Sequence, residues 1–256
     1  DRLALLPGGD PRDGVGLGTD GLPDIVWQAI PGGEVELEVE ASGWLRRWRG
    51  RPRFAVEPFH LARYPVTVAQ WRAFLDAPDG YEKRIRARYG VSPAPQRGRD
   101  NQPAVNVCWW EAIAYCQWLS GRLGFAVSLP SEWQWQHAAT SGEARNEYPW
   151  GAWQEGRANT NDSELGRVVA VGLYPLGASA QGVFDLAGNT WEWCLNAFDT
   201  PADVTLEGDA RRVARGGSWN GDRVSARGAC RNHDDPGTRH HYLGLRLVCF
   251  SPILER

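Results

Sequence analysis

The chain has no Met, a single Lys (Lys83) among 28 basic residues, and no CxxC pair among its five cysteines. Lacking CxxC, it excludes a zinc ribbon or a thioredoxin-type site. The scarcity of lysine fits a GC-rich or thermophile source and decides nothing about function. No run approaches the ~18–20 apolar residues that cross a bilayer, so no membrane insertion is expected. No apolar stretch follows a basic start, so no signal peptide is read. An excess of one charge is missing too: 28 basic and 31 acidic residues give a net charge of −3. That balance offers no case for a nucleic-acid partner. Cys108, Cys116, Cys194, Cys230 and Cys249 are an odd set. They are expected to be mainly buried thiols, with one disulfide left open, which fits a cytoplasmic location.

What the chain has in quantity is tryptophan and glycine, 14 and 30 residues of 256. Residues 1–21 are rich in Gly, Pro and Asp and read as a flexible lead-in or linker; one domain is expected over 22–256. A chain starting at Asp1 is expected to be a processed or truncated piece, with room for an upstream fused domain. Residues 25–30 and 34–40 read as strands around a turn at Pro31-Gly32-Gly33, and Phe54 to Leu61 as another strand. Thr67 is placed to cap a helix carrying Val68, Trp71, Phe74 and Leu75. Residues 78–103 read as an irregular insertion with a helical turn around Tyr81–Tyr89. A second helix carries Trp109, Ala112, Ile113, Cys116, Leu119 and Leu123 on one stripe, with Gly121 and Gly124 ending it. Ser131 and Gln134 form a capping box for a short third helix. From Tyr148 the chain is loops and short strands, and residues 244–250 close it as a buried strand. The expected class is α+β with high loop content.

Several segments together resemble one family. PVTVAQWRAF (65–74), PAVNVCWWEAIAYCQWLS (103–120), SLPSEWQWQHAA (128–139), YPWG (148–151), DLAGNTWEWC (185–194), RVARGGSW (212–219) and GLRLV (244–248) occur in the order seen in the formylglycine-generating-enzyme (sulfatase-modifying factor) superfamily. The resemblance implies a C-type-lectin-like fold: a twisted antiparallel sheet, two or three flanking helices and a long loop-rich half. In such a domain indole rings take the place of aliphatic core residues. Trp191 and Trp193 alternate with Glu192, so both rings are expected on one side.

Function does not follow from that fold. Formylglycine-generating enzymes carry a cysteine pair after GGS that binds copper, and soft thiolates suit Cu(I). Residues 218–229 (SWNGDRVSARGA) contain no cysteine, and Cys230 stands alone. The related sulfoxide synthases add a domain with an HxxxHxE iron motif, which is also missing. The expectation is therefore that the chain is not an enzyme. EPN and QPD loops are lacking as well, which argues against a calcium-dependent lectin. The resemblance still leaves a structural calcium possible in DLAGNTWEW, with Asp185, Glu192 and the backbone at Gly188 and Thr190 as oxygen donors; no other cofactor is required.

Residues 220–243, NGDRVSARGACRNHDDPGTRHHYL, lie between two motifs and follow neither helical nor strand period. Such a stretch reads as loops held out by a scaffold. The arrangement most resembles variable proteins of diversity-generating retroelements, whose C-terminal segment is rewritten at AAY codons. Those codons never become Lys, Glu, Gln, Trp or Met, and the segment holds none of these. The expected ligand-binding residues are Trp219, Asn220, Gly221, Asp222, Val224, Ser225, Gly228, Cys230, His233, Asp234, Asp235, Thr238, His240, His241 and Tyr242. Arg227 and Arg231 are assigned to scaffold salt bridges. The expected partner is a protein ligand of unknown identity. The alternative is an oxidase of the formylglycine-generating type, or a regulatory module of that superfamily lacking the cysteine pair.

Overall fold

The helix starts are written locally, and each forms as its capping residues dictate. In the computed structural model, which describes residues 2–38, 51–86 and 91–250, α1 spans Val68–Asp76, α2 Trp109–Leu123 and α3 Glu132–Ala139. Thr67 accepts the Gln70 backbone N–H at 3.3 Å, while the Gln70 side chain accepts from Thr67 N–H at 3.0 Å. Ser131 and Gln134 repeat this reciprocal arrangement at α3. At α2 the Glu111 carboxylate accepts the Cys108 N–H at 2.8 Å. Gly124, at φ +78°, closes α2 in the left-handed region, whereas Gly121 lies inside the helix rather than ending it. The insertion contributes one π-type turn at Glu82–Arg86; residues 87–89 of the expected turn lie outside the described residues. Thr67 also donates to Val15 O at 2.7 Å, and both residues are buried. Thr67→Ala is therefore expected to cost about 1–2 kcal/mol, read as a lower urea midpoint at unchanged m-value.

Strand pairing is where the chain departs from its local reading. Strands β1 (Trp27–Ile30) and β2 (Gly33–Glu36) do not pair across the Pro31-Gly32 turn. β1 pairs with β4 (Phe59–Ala62), and β2 pairs with β3 (Arg53–Val56), both antiparallel. The reason is burial: Val35 and Leu37 pack with Trp135 and Ala138 of α3, so the chain leaves one sheet at the turn and starts another under that helix. Residues 39–40 of the expected second strand lie outside the described residues. The expected Phe54–Leu61 strand breaks at Glu57-Pro58 for a backbone reason, since proline has no N–H for a ladder.

Among the described residues, one sheet has the order β1-β4-β10-β5, with β5 at Val127–Ser128 and β10 at Val248–Cys249. Val248 lies opposite both Leu61 and Ser128, so the end of the chain is inserted between early strands. Another sheet has the order β8-β7-β6-β9, comprising β6 (Trp191–Ala197), β7 (Arg212–Arg215), β8 (Arg231–Asp234) and β9 (Leu243–Leu245). β9 runs parallel to β6 and the other pairs are antiparallel. The expected strand over 244–250 is thus split between two sheets at Arg246-Leu247. The cause is Arg246, fully buried, which turns to bond Glu192, Ala62 O and Phe184 O.

Strand β6 divides the interior. Trp191 and Trp193 face a cluster with Trp71, Phe74, Trp109, Tyr115 and Trp118, as their spacing requires. On the other face Cys194 joins a cluster with Phe59, Val213 and Trp135, and Glu192 accepts the Trp135 indole N–H at 2.7 Å. Within 1–21, Val15 is buried, and Asp10 accepts from Arg12 and from Asn101 at 2.8 Å. Among the described residues no helix is long and apolar enough to cross a membrane.

Candidate functional site

The 220–243 segment has little regular structure, so its shape must come from anchors. Two are arginines. Arg231 donates to both oxygens of Glu132 at 2.7 and 2.9 Å, with both side chains buried. Arg239 does the same to Glu111 at 2.9 and 2.8 Å. Each carboxylate sits in the first turn of a helix, α3 or α2, where the helix dipole also favours it. Tyr81 OH adds a short hydrogen bond to Glu111. A third arginine, Arg215, is fully buried and donates to the carbonyls of Gly228, Ala229 and Cys230. Gly217, at φ +70°, lets the backbone approach Ala226: a Cβ there would lie 2.8 Å from Ala226 Cα. Arg231 was expected as scaffold and is. Arg227 makes an exposed pair with Glu147 at 3.7 Å and donates from Nε to Val224 O at 3.4 Å. Arg239 was missed; the Glu at helix position 111 signals a need for a cation, but not which one.

The remaining side chains divide between exposed and half-buried, and Cys230 and Tyr242 pack against the tryptophan-rich cluster. Asn220, Asp222, Val224, Asp235 and His241 are exposed. Trp219, Gly221, Ser225, Cys230, His233, Asp234, Thr238, His240 and Tyr242 are half-buried. Gly228 is the correction. It is buried, donates its N–H to Glu147 O, and a Cβ would press on Thr140 Cγ2 at 3.2 Å, so it is part of the scaffold.

The structure brings five of these residues into one ridge. Trp219 packs on His241 with ring centroids 5.5 Å apart, and His241 on Tyr242 at 5.0 Å. Tyr242 stacks on His240 at 4.8 Å and 8°. His240 Nε2 then lies 2.7 Å from Asp234 Oδ2; the carboxylate can only accept, so the ring donates. The buried Trp219 indole N–H has no hydrogen-bond partner among the described residues. His233, next to Asp234 on β8, joins a different group instead. It packs on Phe198 at 4.2 Å and meets Arg211 Nη1 at 3.2 Å. Burial, then the Arg211 charge, push its pKa down. Phe198, Arg211 and Asp199, which pairs with Arg211, had no sequence signal as part of this face. The turn at 219–225 is fixed by Asp222, which accepts from the Ser225 hydroxyl and N–H at 2.7 and 2.8 Å; these bonds hold its carboxyl below the usual range.

The groups expected to be able to hold calcium are engaged elsewhere. Both Glu192 oxygens are taken, by Arg246 at 2.7 and 2.9 Å and by Trp135. Asp185 accepts the Gly172 N–H at 2.7 Å, and burial pushes its pKa up to about 6. The Gly188 carbonyl accepts from Thr190 N–H. This donor set does not fit a calcium ion, which needs six to eight free oxygens. Among the described residues no cluster of three or more His, Cys, Asp or Glu could hold a metal. Cys108, Cys116, Cys194 and Cys249 are buried free thiols. Burial pushes the thiols of Cys108 and Cys249 up to about 12, which leaves them inert as nucleophiles at neutral pH.

Comparison with known proteins places this geometry in a family. A family described as "Sulfatase-modifying factor enzyme 1-like domain" matches residues 20–250. The hercynine oxygenase of Mycolicibacterium smegmatis is 31% identical, over 86% of this chain and 60% of its own length. The formylglycine-generating enzyme of Streptomyces coelicolor is 32% identical, over 59% of this chain and 54% of its own length. The chain thus spans little more than half the length of these relatives. In fold it is similar to Treponema denticola variable protein 1, at a TM-score of 0.66 and 21% identity, covering 88% of this chain and 95% of that one. The expectation that the chain is not an enzyme is overturned by these relatives. Named enzymes stand at about 31% identity to it, and they point to oxidase activity in the family. With the C-type-lectin-like architecture and the ordered motifs, the match over nearly the whole chain establishes that this protein belongs to the sulfatase-modifying factor family.

Proposed function

We propose that the face formed by Trp219–Tyr242 is a ligand-binding surface whose side chains can be exchanged while its backbone is held, and that its ligand is a protein. The observation that carries this reading is the division of labour within the segment. Arg231, Arg239 and the buried Gly228 and Ala226 anchor it, while Asn220, Asp222, Val224, Asp235 and His241 are exposed. Rings with polar edges on a rigid frame are what antibody loops use for protein recognition. The lack of Lys, Glu, Gln, Trp and Met between 220 and 243 supports diversification by the codon mechanism above.

A library randomised at the exposed Asn220, Val224, Asp235 and His241 tests this. Most members are expected to stay folded, with Tm within a few degrees of the parent, because exposed substitutions cost within about 0.5 kcal/mol each. Selection against unrelated protein targets should then yield binders. A library that is mostly unfolded sinks the reading. So does a gene with no near-identical template repeat beside it.

A second reading is favoured by the ~31% identity to oxygenases and formylglycine-generating enzymes. In it, the same face is the substrate side of an oxidase, and the metal ligands come from the rest of a longer protein. Oxygen uptake that depends on a cysteinyl peptide and on added copper or iron would establish it.

A further inference from the structure

Away from the ridge, the loop-rich stretch 153–174 encloses a cleft of about 410 Å³. Its lining includes two rings, Trp153 and Tyr174, two carboxylates, Glu155 and Asp162, and the hydroxyl residue Thr160. Among the described residues, no Lys, Arg or His lines it. Trp153 is held in place by Tyr148, at 5.1 Å between ring centroids, and by Trp150 at 6.2 Å. Arg157, close by in the chain, is turned elsewhere: it lies over Trp150 and donates to Leu176 O at 2.9 Å. Thr160 is only 1% exposed, and its hydroxyl has no hydrogen-bond partner among the described residues. The cleft therefore offers ring faces, two negative charges and an unused hydroxyl, with no donor of positive charge.

That chemistry selects the sign of its occupant. An anion would meet two like charges and no counter-charge. A cation gains from the ring quadrupoles and from charge-assisted hydrogen bonds to the carboxylates. We infer that this cleft binds a cationic side chain, a guanidinium or primary ammonium presented by a peptide. The site is separate from the ridge and does not depend on how that face is used. The two share a lip, however, because Asn161 N–H donates to Gly221 O at 2.8 Å. A protein seated on the 219–242 face is thus within reach of the cleft with a basic side chain.

The test is a titration of the full chain followed at the Trp153 indole N–H by NMR. The probes are Nα-acetyl-arginine amide, Nα-acetyl-lysine amide and the neutral isostere Nα-acetyl-citrulline amide. Saturable shifts are expected with one or both cations and not with citrulline, and the two cationic arms separate guanidinium from ammonium. The Glu155→Gln/Asp162→Asn double variant, altered at exposed positions, should keep its Tm and bind the cation at least about tenfold more weakly. Equal binding of the citrulline amide overturns the inference. So does undiminished binding by the folded double variant, or no saturation by either cation up to roughly 50 mM.

Discussion

Glu192→Ala is expected to destabilise the fold by about 3–5 kcal/mol, the range for removing one partner of a buried ion pair. Glu192 and Arg246 are both fully buried, and their two-point contact at 2.7 and 2.9 Å joins β6 to the segment between β9 and β10. Without the carboxylate, Arg246 keeps its bonds to Ala62 O, Arg63 O and Phe184 O but loses its counter-charge. The Trp135 indole N–H loses its acceptor at the same time. A Glu192→Met/Arg246→Met double variant should recover part of the loss, because it leaves no lone charge inside. Urea unfolding of Glu192→Met, Arg246→Met and the double variant measures this coupling. A loss under 1 kcal/mol for Glu192→Ala would show that the pair does not hold the sheets together.

Trp193→Ala is expected to cost about 3–5 kcal/mol as well, for a different reason. Its ring is fully buried in the cluster with Trp71, Trp109 and Leu245. Its indole N–H also satisfies Val107 O at 2.9 Å, just before α2 begins. Truncation leaves a cavity and an orphaned carbonyl. His241→Ala, on the exposed ridge, should change stability by no more than about 0.5 kcal/mol. Equal losses from the two variants in a thermal melt would remove the distinction between frame and decorated surface.

The site was legible to unequal degrees. Residues 220–243 stood out because they follow no structural period, and the structure leaves eight of them exposed, twelve half-buried and four buried. Gly228 was misread as surface because a glycine in sequence does not reveal what faces its missing Cβ. Glu192 was read as an oxygen donor for calcium, and it is the counter-charge of Arg246. That pairing spans 54 positions, and the Arg239–Glu111 pairing spans 128. The exclusion of catalysis failed for another reason: it rested on two absent motifs, the cysteine pair and HxxxHxE, while the similarity to enzymes extends over most of the chain.

By itself the sequence determined the helix starts at Thr67 and Ser131, the stop at Gly124 and the inward facing of Trp191 and Trp193. Capping and side-chain alternation act within a few residues, so they are complete in the local chain. The order of its motifs likewise identified the family. Only the tertiary structure decided that β1 and β2 belong to different sheets and that the last strand pair is split by a buried arginine. It alone showed which arginines hold the 220–243 segment, and that an acidic, aromatic cleft opens beside it. Those outcomes depend on which distant groups share a dry interior, where a charge or a strand edge takes the partner that reaches it in space.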